Sequence, residues 1–407
     1  MTASTASKFV IGNCIRSHLV ISTRNVPKDA EFHGYCILKK SASGEVTVMT
    51  STPVISAVSV MDKDSFEVEG LDVGSCLFAS ASSLSRAIDS FDSNAKLKLS
   101  VSEGDNPTLV VTSATCSDDS QTVPLTQLKS TPPSVDMPKL GTSFSCSVDA
   151  LSSAIGRIKY SLPVSEVVRH YTFIKTKFLD GKISIVAGNG QCFARTTFIA
   201  KDIRCSDPSK PVFMPSKELL NVVDYLVNNF ESDDQVVVAF GKSSIGFSIG
   251  NFKAVISSAE SVQWPEEGEI LKRESVTKLS SAMAGWNSVH NGIRAVFELE
   301  NRPNQLCKTK LTVDAKSAKA VLATGDRNVS KRTVSIDGES KVSQEAVSAC
   351  FSSMILCEVI KASKACTRMT FEIDNSKYKG NPPPIIIKTF DDASSDPIVE
   401  SFFSQLQ

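Results

Sequence analysis

Apolar residues recur along the chain in helix-like stripes, and the stripes themselves repeat at long intervals. Within 78–91 they fall at Leu84, Ile88 and Phe91, an i, i+4, i+7 spacing that predicts an amphipathic helix with one face toward a core. The same stripe returns at Leu219, Val223 and Tyr225-Leu226, and again at Val347, Phe351 and Met354. A second family of stripes lies upstream of these: Leu151, Ile155 and Ile158, then Leu279, Met283 and Trp286, with a fainter counterpart at Ile15 and Leu19. Each member of the first family is followed by a strand-like run, at 96–101, 235–240 and 369–373. Short alternating runs at 182–186 and 244–249 read as further strands.

Coincident spacing in two helix families predicts three copies of about 130 residues, which together account for the whole chain. Each copy holds two helices and about eight strands, arranged as two β-α-βββ halves. The fold class is therefore α+β, with helices packed on antiparallel sheets. Pro- and Gly-punctuated linkers at 130–134 and 264–268 separate the copies. The expected domains are 1–138, 139–271 and 272–390, with 391–407 as a C-terminal extension. In that extension Asp396-Pro397 suggests the start of a short helix carrying Ile398, Val399, Phe402 and Phe403 on one side.

Composition narrows the function. The 407 residues are 41% hydrophobic and 22% charged, the profile of a folded chain. No apolar run approaches the ~18 residues that span a bilayer, and the segment Met1–Thr5 lacks a secretory signal's basic start. Lys+Arg and Asp+Glu balance at 44 each, which excludes a generally basic nucleic-acid binder but not one whose positive charge is gathered on one surface. Eleven scattered cysteines without a CxxC exclude a zinc ribbon or thioredoxin-like motif and read as small structural thiols in a reducing, cytosolic compartment. The four histidines, His18, His33, His170 and His290, form no HExxH, and neither GxSxG nor GxxxxGK[ST] occurs. No catalytic residue, metal site or cofactor is expected, and the chain reads as a non-enzyme.

Several segments carry a family resemblance. Arg169-His170-Tyr171-Thr172-Phe173-Ile174 followed by Gly181 to Ala194 is similar to the middle domain of bacterial sliding clamps, the β subunit of DNA polymerase III holoenzyme. Pro211-Val212-Phe213-Met214-Pro215 through Leu220 resembles that family's "VIVPRKxxxEL", and Gly250-Asn251-Phe252 with Trp264-Pro265 its "GxF…FPDY". Pro384-Ile385-Ile386-Ile387 resembles the strand that ends its C-terminal domain. The turn Gly188-Asn189-Gly190-Gln191-Cys192-Phe193 keeps only the central glycine of the family's "TDGHRL", as a phage-encoded or otherwise remote member would.

The resemblance implies three repeated DNA-clamp domains forming half of a six-domain ring. Two chains would join head to tail, domain 1 of one against domain 3 of the other, in bacterial cytoplasm or in the host's if phage-encoded. Such a ring encircles double-stranded DNA without sequence preference and tethers a replicative polymerase and other replication proteins. Helix-borne cations would line the hole: Arg16, Arg24, Arg86, Arg157, Lys159, Lys217, Lys278, Lys361 and Lys364. Acidic residues would then gather on the outer wall. The polymerase and clamp loader would insert a short linear peptide motif into a pocket formed by Thr172, Gly188, Gly190, Cys192, Phe193, Pro265, Ile270, Ile385 and Ile387. The extension is placed by the same logic near that pocket. The alternative is a scaffold protein of repeated α+β domains that does not encircle DNA.

Overall fold

A computed structural model of the chain describes residues 15, 18–19, 34–63, 66–92, 95–102, 104, 106–116, 118–126, 132, 134–139, 141–163, 169–265, 276–300, 308–314, 319–324, 330–336, 347–374, 385–391 and 396–403. Residues 15, 18 and 19 are helical, with Ile15 and Leu19 fully buried. The first repeat continues with β1 (Tyr35–Lys40), β2 (Val46–Ser51), β3 (Ile55–Met61) and the short β4 (Val68–Glu69). Its second half is β5 (Cys76–Ser80), α1 (Ala81–Asp89), β6 (Leu97–Ser102), β7 (Thr108–Ser113) and β8 (Ser120–Thr126). The second repeat opens with β9 (Thr142–Ser147), α2 (Val148–Ile158), two 3-10 turns (Lys159–Ser161 and Arg169–Thr172), β10 (Phe173–Leu179), β11 (Lys182–Gly188) and β12 (Cys192–Ile199). It closes with β13 (Lys201–Cys205), β14 (Val212–Pro215), α3 (Ser216–Asn229), β15 (Gln235–Phe240), β16 (Ser244–Ile249) and β17 (Phe252–Ser257). The third holds β18 (Val276–Ala282), α4 (Met283–Glu300), β19 (Lys308–Asp314), β20 (Lys319–Thr324) and β21 (Ser330–Ser335). Its last half is β22 (Val347–Ser352), α5 (Ser353–Ala362), β23 (Arg368–Asp374), β24 (Ile385–Phe390) and β25 (Val399–Phe403). Strand, helix and three strands thus recur as complete halves five times in the described residues.

Two compact units divide the chain, 1–152 with 199–261 and 153–198 with 262–407. In the first, one sheet runs β13-β9-β15-β16-β17-β3-β2-β1-β5-β8-β7-β6-β4. Helix α1 starts at Ser80, whose hydroxyl accepts from the Ser83 amide, and its i, i+4 pair Leu84 and Ile88 is buried beside Leu97, Leu99 and Val111. Helix α3 buries Leu219, Val222, Val223, Tyr225 and Leu226 the same way. The first and second repeats share an antiparallel seam, β17 on β3, from Phe252 opposite Ser59 to Ile256 opposite Ile55. Behind it, His18 Nε2 lies 2.6 Å from Ser59 Oγ, which lies 2.9 Å from the Tyr225 hydroxyl. The Tyr225 ring stacks on Phe252 at 4.2 Å, and the His18 ring meets both edge-on. Burial holds the His18 imidazole down at a pKa of about 3.

In the second unit β10-β11-β12-β25-β24-β23-β18 lie side by side, and a separate sheet runs β21-β20-β19-β22. The core packs Trp286 of α4 against Phe371 of β23 at 4.6 Å, with Met283, Val289 and Leu356 around them. A second seam, β25 on β12, sets Arg195 opposite Glu400 and Phe193 opposite Phe402. Its charges continue across the sheet: Arg195 pairs with Glu400, Lys388 lies 3.7 Å from Glu400 and 2.8 Å from Glu372, and Lys278 stands opposite Glu372. Alternating signs on five neighbouring strands make each contact an attraction. Tyr160 donates or accepts a hydrogen bond with Ser401, tying the 3-10 turn after α2 to β25.

The structure corrects several expectations. Val347 and Phe351 lie on β22, and α5 instead buries Leu356, Cys357, Val359 and Ile360 while Met354 is 53% exposed. Leu279 belongs to β18, one strand before α4. In both cases an inward strand residue and the first helical turn share one core, so helix-like spacing runs across the junction. Phe91 lies just past the end of α1, half-buried. The expected helix after Asp396 is a strand: Val399 to Phe403 fills the gap between β12 and β24, where β-branched and aromatic residues gain more from two ladders than from one helical turn. The cysteines fit the small-thiol reading at Cys36, Cys146, Cys192, Cys357 and Cys366, which are buried, whereas Cys116 is exposed. Burial pushes the Cys146 thiol up to about 12. Among the described residues no helix is long and apolar enough to cross a membrane.

Candidate functional site

The pocket residues gather around one turn of the second unit. Gly188 ends β11, and the Asn189 side chain then accepts from the Gln191 and Cys192 amides at 3.0 and 2.9 Å, folding the backbone into a tight Asx-type turn. Gly190 sits at φ +87°, a left-handed conformation that favours glycine. A Cβ on Gly188 would stand 2.5 Å from Phe193 Cδ1, so the missing side chain is what lets the Phe193 ring fold back over the turn. There Phe193 meets Tyr171 edge-on at 5.7 Å, and Trp264 meets both, at 6.0 Å from Tyr171 and 6.5 Å from Phe193. All three rings are half-buried, as are Thr172 beside Tyr171 and Pro265 beside Trp264. The result is an amphipathic aromatic patch that presents ring edges and faces to solvent.

Other expected pocket residues sit deeper. Cys192, Ile385 and Ile387 are each 0% exposed and belong to the buried cluster around Trp286 and Phe371. They are not adjacent strands: β25 runs between β12 and β24, with Phe403 opposite both Cys192 and Ile385. These three therefore back the patch as core rather than line its surface. Burial also drives the Cys192 thiol well above its ordinary range, which leaves it neutral. Ile270 lies outside the described residues. Tyr171 and Trp264 were not among the expected site residues, although each adjoins one in sequence; an aromatic next to Thr172 and another next to Pro265 was the available signal.

The helix-borne cations are dispersed. Arg16 and Arg24 lie outside the described residues. Arg86 is exposed on α1, its Nε donating to the Ser82 carbonyl at 3.3 Å. Arg157 is in the last turn of α2, Lys159 is in the following 3-10 turn, and Lys217 is half-buried at the start of α3. Lys361 is on α5, 3.9 Å from Glu358, while Lys364 follows the helix in a turn. Lys278 is on β18 rather than a helix, opposite Glu372, because the helix of its half begins only at Met283. Each of the helices α1 to α5 carries acidic residues too, among them Asp89, Asp149, Asp224, Glu298 and Glu358. The helices are mixed in sign, not uniformly positive. Among the described residues no group of His, Cys, Asp and Glu is arranged to hold a metal ion.

No protein family's sequence profile matches the chain, and no curated protein does. Solved structures do. The DNA polymerase sliding clamp from Bacillus subtilis superposes with a TM-score of 0.75 at 12% identity, covering 97% of this chain and 96% of that one. The DNA polymerase III subunit beta from Pseudomonas aeruginosa gives 0.73 at 13%, over 97% and 98%. The sliding clamp from Caulobacter crescentus gives 0.71 at 15%, again over 97% and 98%. Agreement over nearly the full length of each pair, with five strand-helix-three-strand halves in order, shows that this chain has the fold of the bacterial DNA polymerase sliding clamps.

Proposed function

We propose that the protein is a DNA sliding clamp: a processivity factor that encircles duplex DNA as a ring and tethers a polymerase to it. The observation that carries this reading is the likeness to sliding clamps along 97% of the chain, which leaves little outside the clamp architecture to serve another activity. Three domains, 1–138, 139–271 and 272 onward, would supply half of a six-domain ring, and two chains would close it head to tail, domain 1 on domain 3. β25 supports assigning 391–403 to the third domain as its last strand instead of to an appendage. Retention on DNA is then topological. The mixed charge of the helices departs from the expected gathering of cations on DNA-facing helices, so it does not itself favour DNA. The reading rests on topology, with only weak, sequence-independent attraction to phosphate.

Tethering turns repeated capture of a polymerase into an intramolecular event at an effective concentration of about millimolar for short connections. The patch of Tyr171, Phe193 and Trp264 is our candidate for the surface that receives the linear motif of polymerase and loader, with Thr172 and Pro265 at its rim. Edge-on rings accept apolar and aromatic anchors of a peptide at low cost in entropy. The chain itself performs no bond chemistry in this reading and works in the cytoplasm. Loading onto nicked circular DNA tests it: the protein should stay bound through gel filtration and be lost once the circle is linearised. Equal retention on both forms, or on neither, would favour the scaffold reading.

A further inference from the structure

We propose that the first unit carries a second peptide-binding face, on the side of its sheet turned away from α1. Residues 134–139 occupy it in cis, and an extended partner peptide with apolar residues at i and i+2 takes their place. This face shares no residue with the patch of Tyr171, Phe193 and Trp264, and it stands whether or not the protein encircles DNA. Strand alternation builds it. Cys36 and Leu38 of β1 belong to the core that holds Leu84 and Ile88 of α1, so Ile37 between them faces the other way. There Phe78, Ile37, Met49 and Val58 form one row across β5, β1, β2 and β3, each opposite the next. Phe78, Ile37 and Met49 are buried, with Tyr35, Cys76 and Val135 packed against them. The repeat does not require such a row. In the second unit the third residue of β10, the counterpart of Ile37 on β1, is Lys175, opposite Val186.

The chain itself covers this face. Val135 packs on the row, while Met137 and Pro138 press against β16 and the turn before it. A Cβ on Gly246 would stand 2.4 Å from Pro138 Cδ and 2.8 Å from Met137 Sδ, and one on Gly241 would stand 3.0 Å from Pro138 Cβ. The two glycines leave the space that these side chains fill. Between the anchors the strap turns to water: Ser134, Asp136 and Lys139 are exposed, and Ser134 Oγ donates to Asp136 Oδ2 at 2.6 Å. Among the described residues no hydrogen bond joins 134–139 to the sheet. Its backbone groups are therefore solvated whether the strap is down or lifted, and lifting it breaks no ladder. Apolar contact alone holds it, and a peptide with the same pattern reproduces that contact. The strap thus displays the chemistry of the ligand: two apolar side chains two residues apart, flanking an acid that stays in solvent. Lifted, it bares a contiguous apolar row, the kind of surface that marks a docking site.

A fluorescein-labelled Ser-Val-Asp-Met-Pro amide, the sequence of 134–138, is the probe, titrated by anisotropy against the full-length protein. Val135→Ser with Met137→Ser should bind it about tenfold more tightly than the wild type does. That factor follows if the peptide's own Kd is about 0.1 mM and the intact strap competes at an effective concentration of about 1 mM. Adding Gly246→Ala, which fills the space of Met137 and Pro138, should abolish the gain. Equal affinity in wild type and serine variant, or a gain that survives Gly246→Ala, would overturn the proposal. The wild type supplies a test free of mutation. The unlabelled peptide contains no lysine, and at millimolar concentration it should speed tryptic cleavage after Lys139 several-fold; an unchanged rate would rule out displacement of the strap. Light scattering should give the serine variant the mass of the wild type. A larger assembly would assign the face to a second copy of the chain and overturn the peptide reading.

Discussion

His18 links three elements of the first unit, and its ring is where acid should first be felt. The imidazole is 0% exposed, bonded through Nε2 to Ser59, and Nδ1 has no hydrogen-bond partner among the described residues. Folded, it resists protonation down to about pH 3, against 6.5 for the exposed side chain. Above pH 6.5 both states are neutral, and His18 contributes no pH dependence. As pH falls below 6.5 the opened state takes up a proton that the folded state refuses, so stability declines by roughly 1.4 kcal/mol per unit. The loss saturates near pH 3, at about 5 kcal/mol in total. Hydrogen exchange of peptides from β3 and α3, corrected for intrinsic rates, reads the opening free energy of this seam. Between pH 6 and pH 5 the wild type should lose about 1.2 kcal/mol more than His18→Gln, which keeps a polar partner for Ser59 but cannot titrate. The variant should be the less stable protein at pH 7.5 and show the flatter profile below pH 6.5. Parallel profiles would refute the claim that His18 stays neutral when folded.

Phe193→Ala should weaken binding of a labelled peptide with apolar or aromatic terminal residues by about thirtyfold, as for a buried aromatic anchor, with dimer mass unchanged; equal anisotropy titrations would remove the patch as the peptide site. Gly188→Ala forces the Phe193 ring away from a Cβ 2.5 Å distant, so thermal unfolding should reveal a loss of about 1–3 kcal/mol, and an unchanged midpoint would contradict that packing. Glu400→Gln leaves Arg195 and Lys388 facing each other without their shared carboxylate. Because Arg195 is 34% exposed and screened, the expected cost is about 1 kcal/mol, and it should shrink between 0.1 and 1 M salt; a salt-independent difference would point to packing instead.

The architecture was legible where periodicity stays inside one element. Leu84 with Ile88, Leu151 with Ile155 and Ile158, and Leu219 with Val223 each mark a real helix, and their spacing exposed the repeat. It failed at strand-helix junctions, where Leu279 and Phe351 continue a core that changes secondary structure beneath them. The tail misled for a different reason: Asp396-Pro397 is a valid local helix signal, but the open edges of β12 and β24 are non-local and decide the outcome for Val399 to Phe403. At the candidate site, motif likeness pointed to the turn at Gly188 to Phe193 around which the aromatic patch gathers, and placed beside it Cys192 and Ile385, which three-dimensional packing reveals as core. Lys278 was expected on a helix but lies on β18, because the inward strand residue Leu279 beside it continues the helical spacing across the junction.

The seam between β12 and β25 also fixes the order in which the second unit is completed during translation. Arg195 and Glu400 are 205 residues apart, so at about 5–20 residues per second the edge of β12 waits roughly 10–40 s for its partner strand. Throughout that interval β12 presents unpaired backbone and the Phe193 ring to whatever the ribosome exit offers, a long-lived opening for chaperones or for strand exchange between nascent chains. The first unit's equivalent seam, β17 on β3, carries no such ion pair; its strands are almost as far apart in sequence, so the edge of β3 waits about as long but closes earlier in synthesis. Codon choice and translation speed across 200–400 should therefore affect the yield of correctly closed protein more than its final stability.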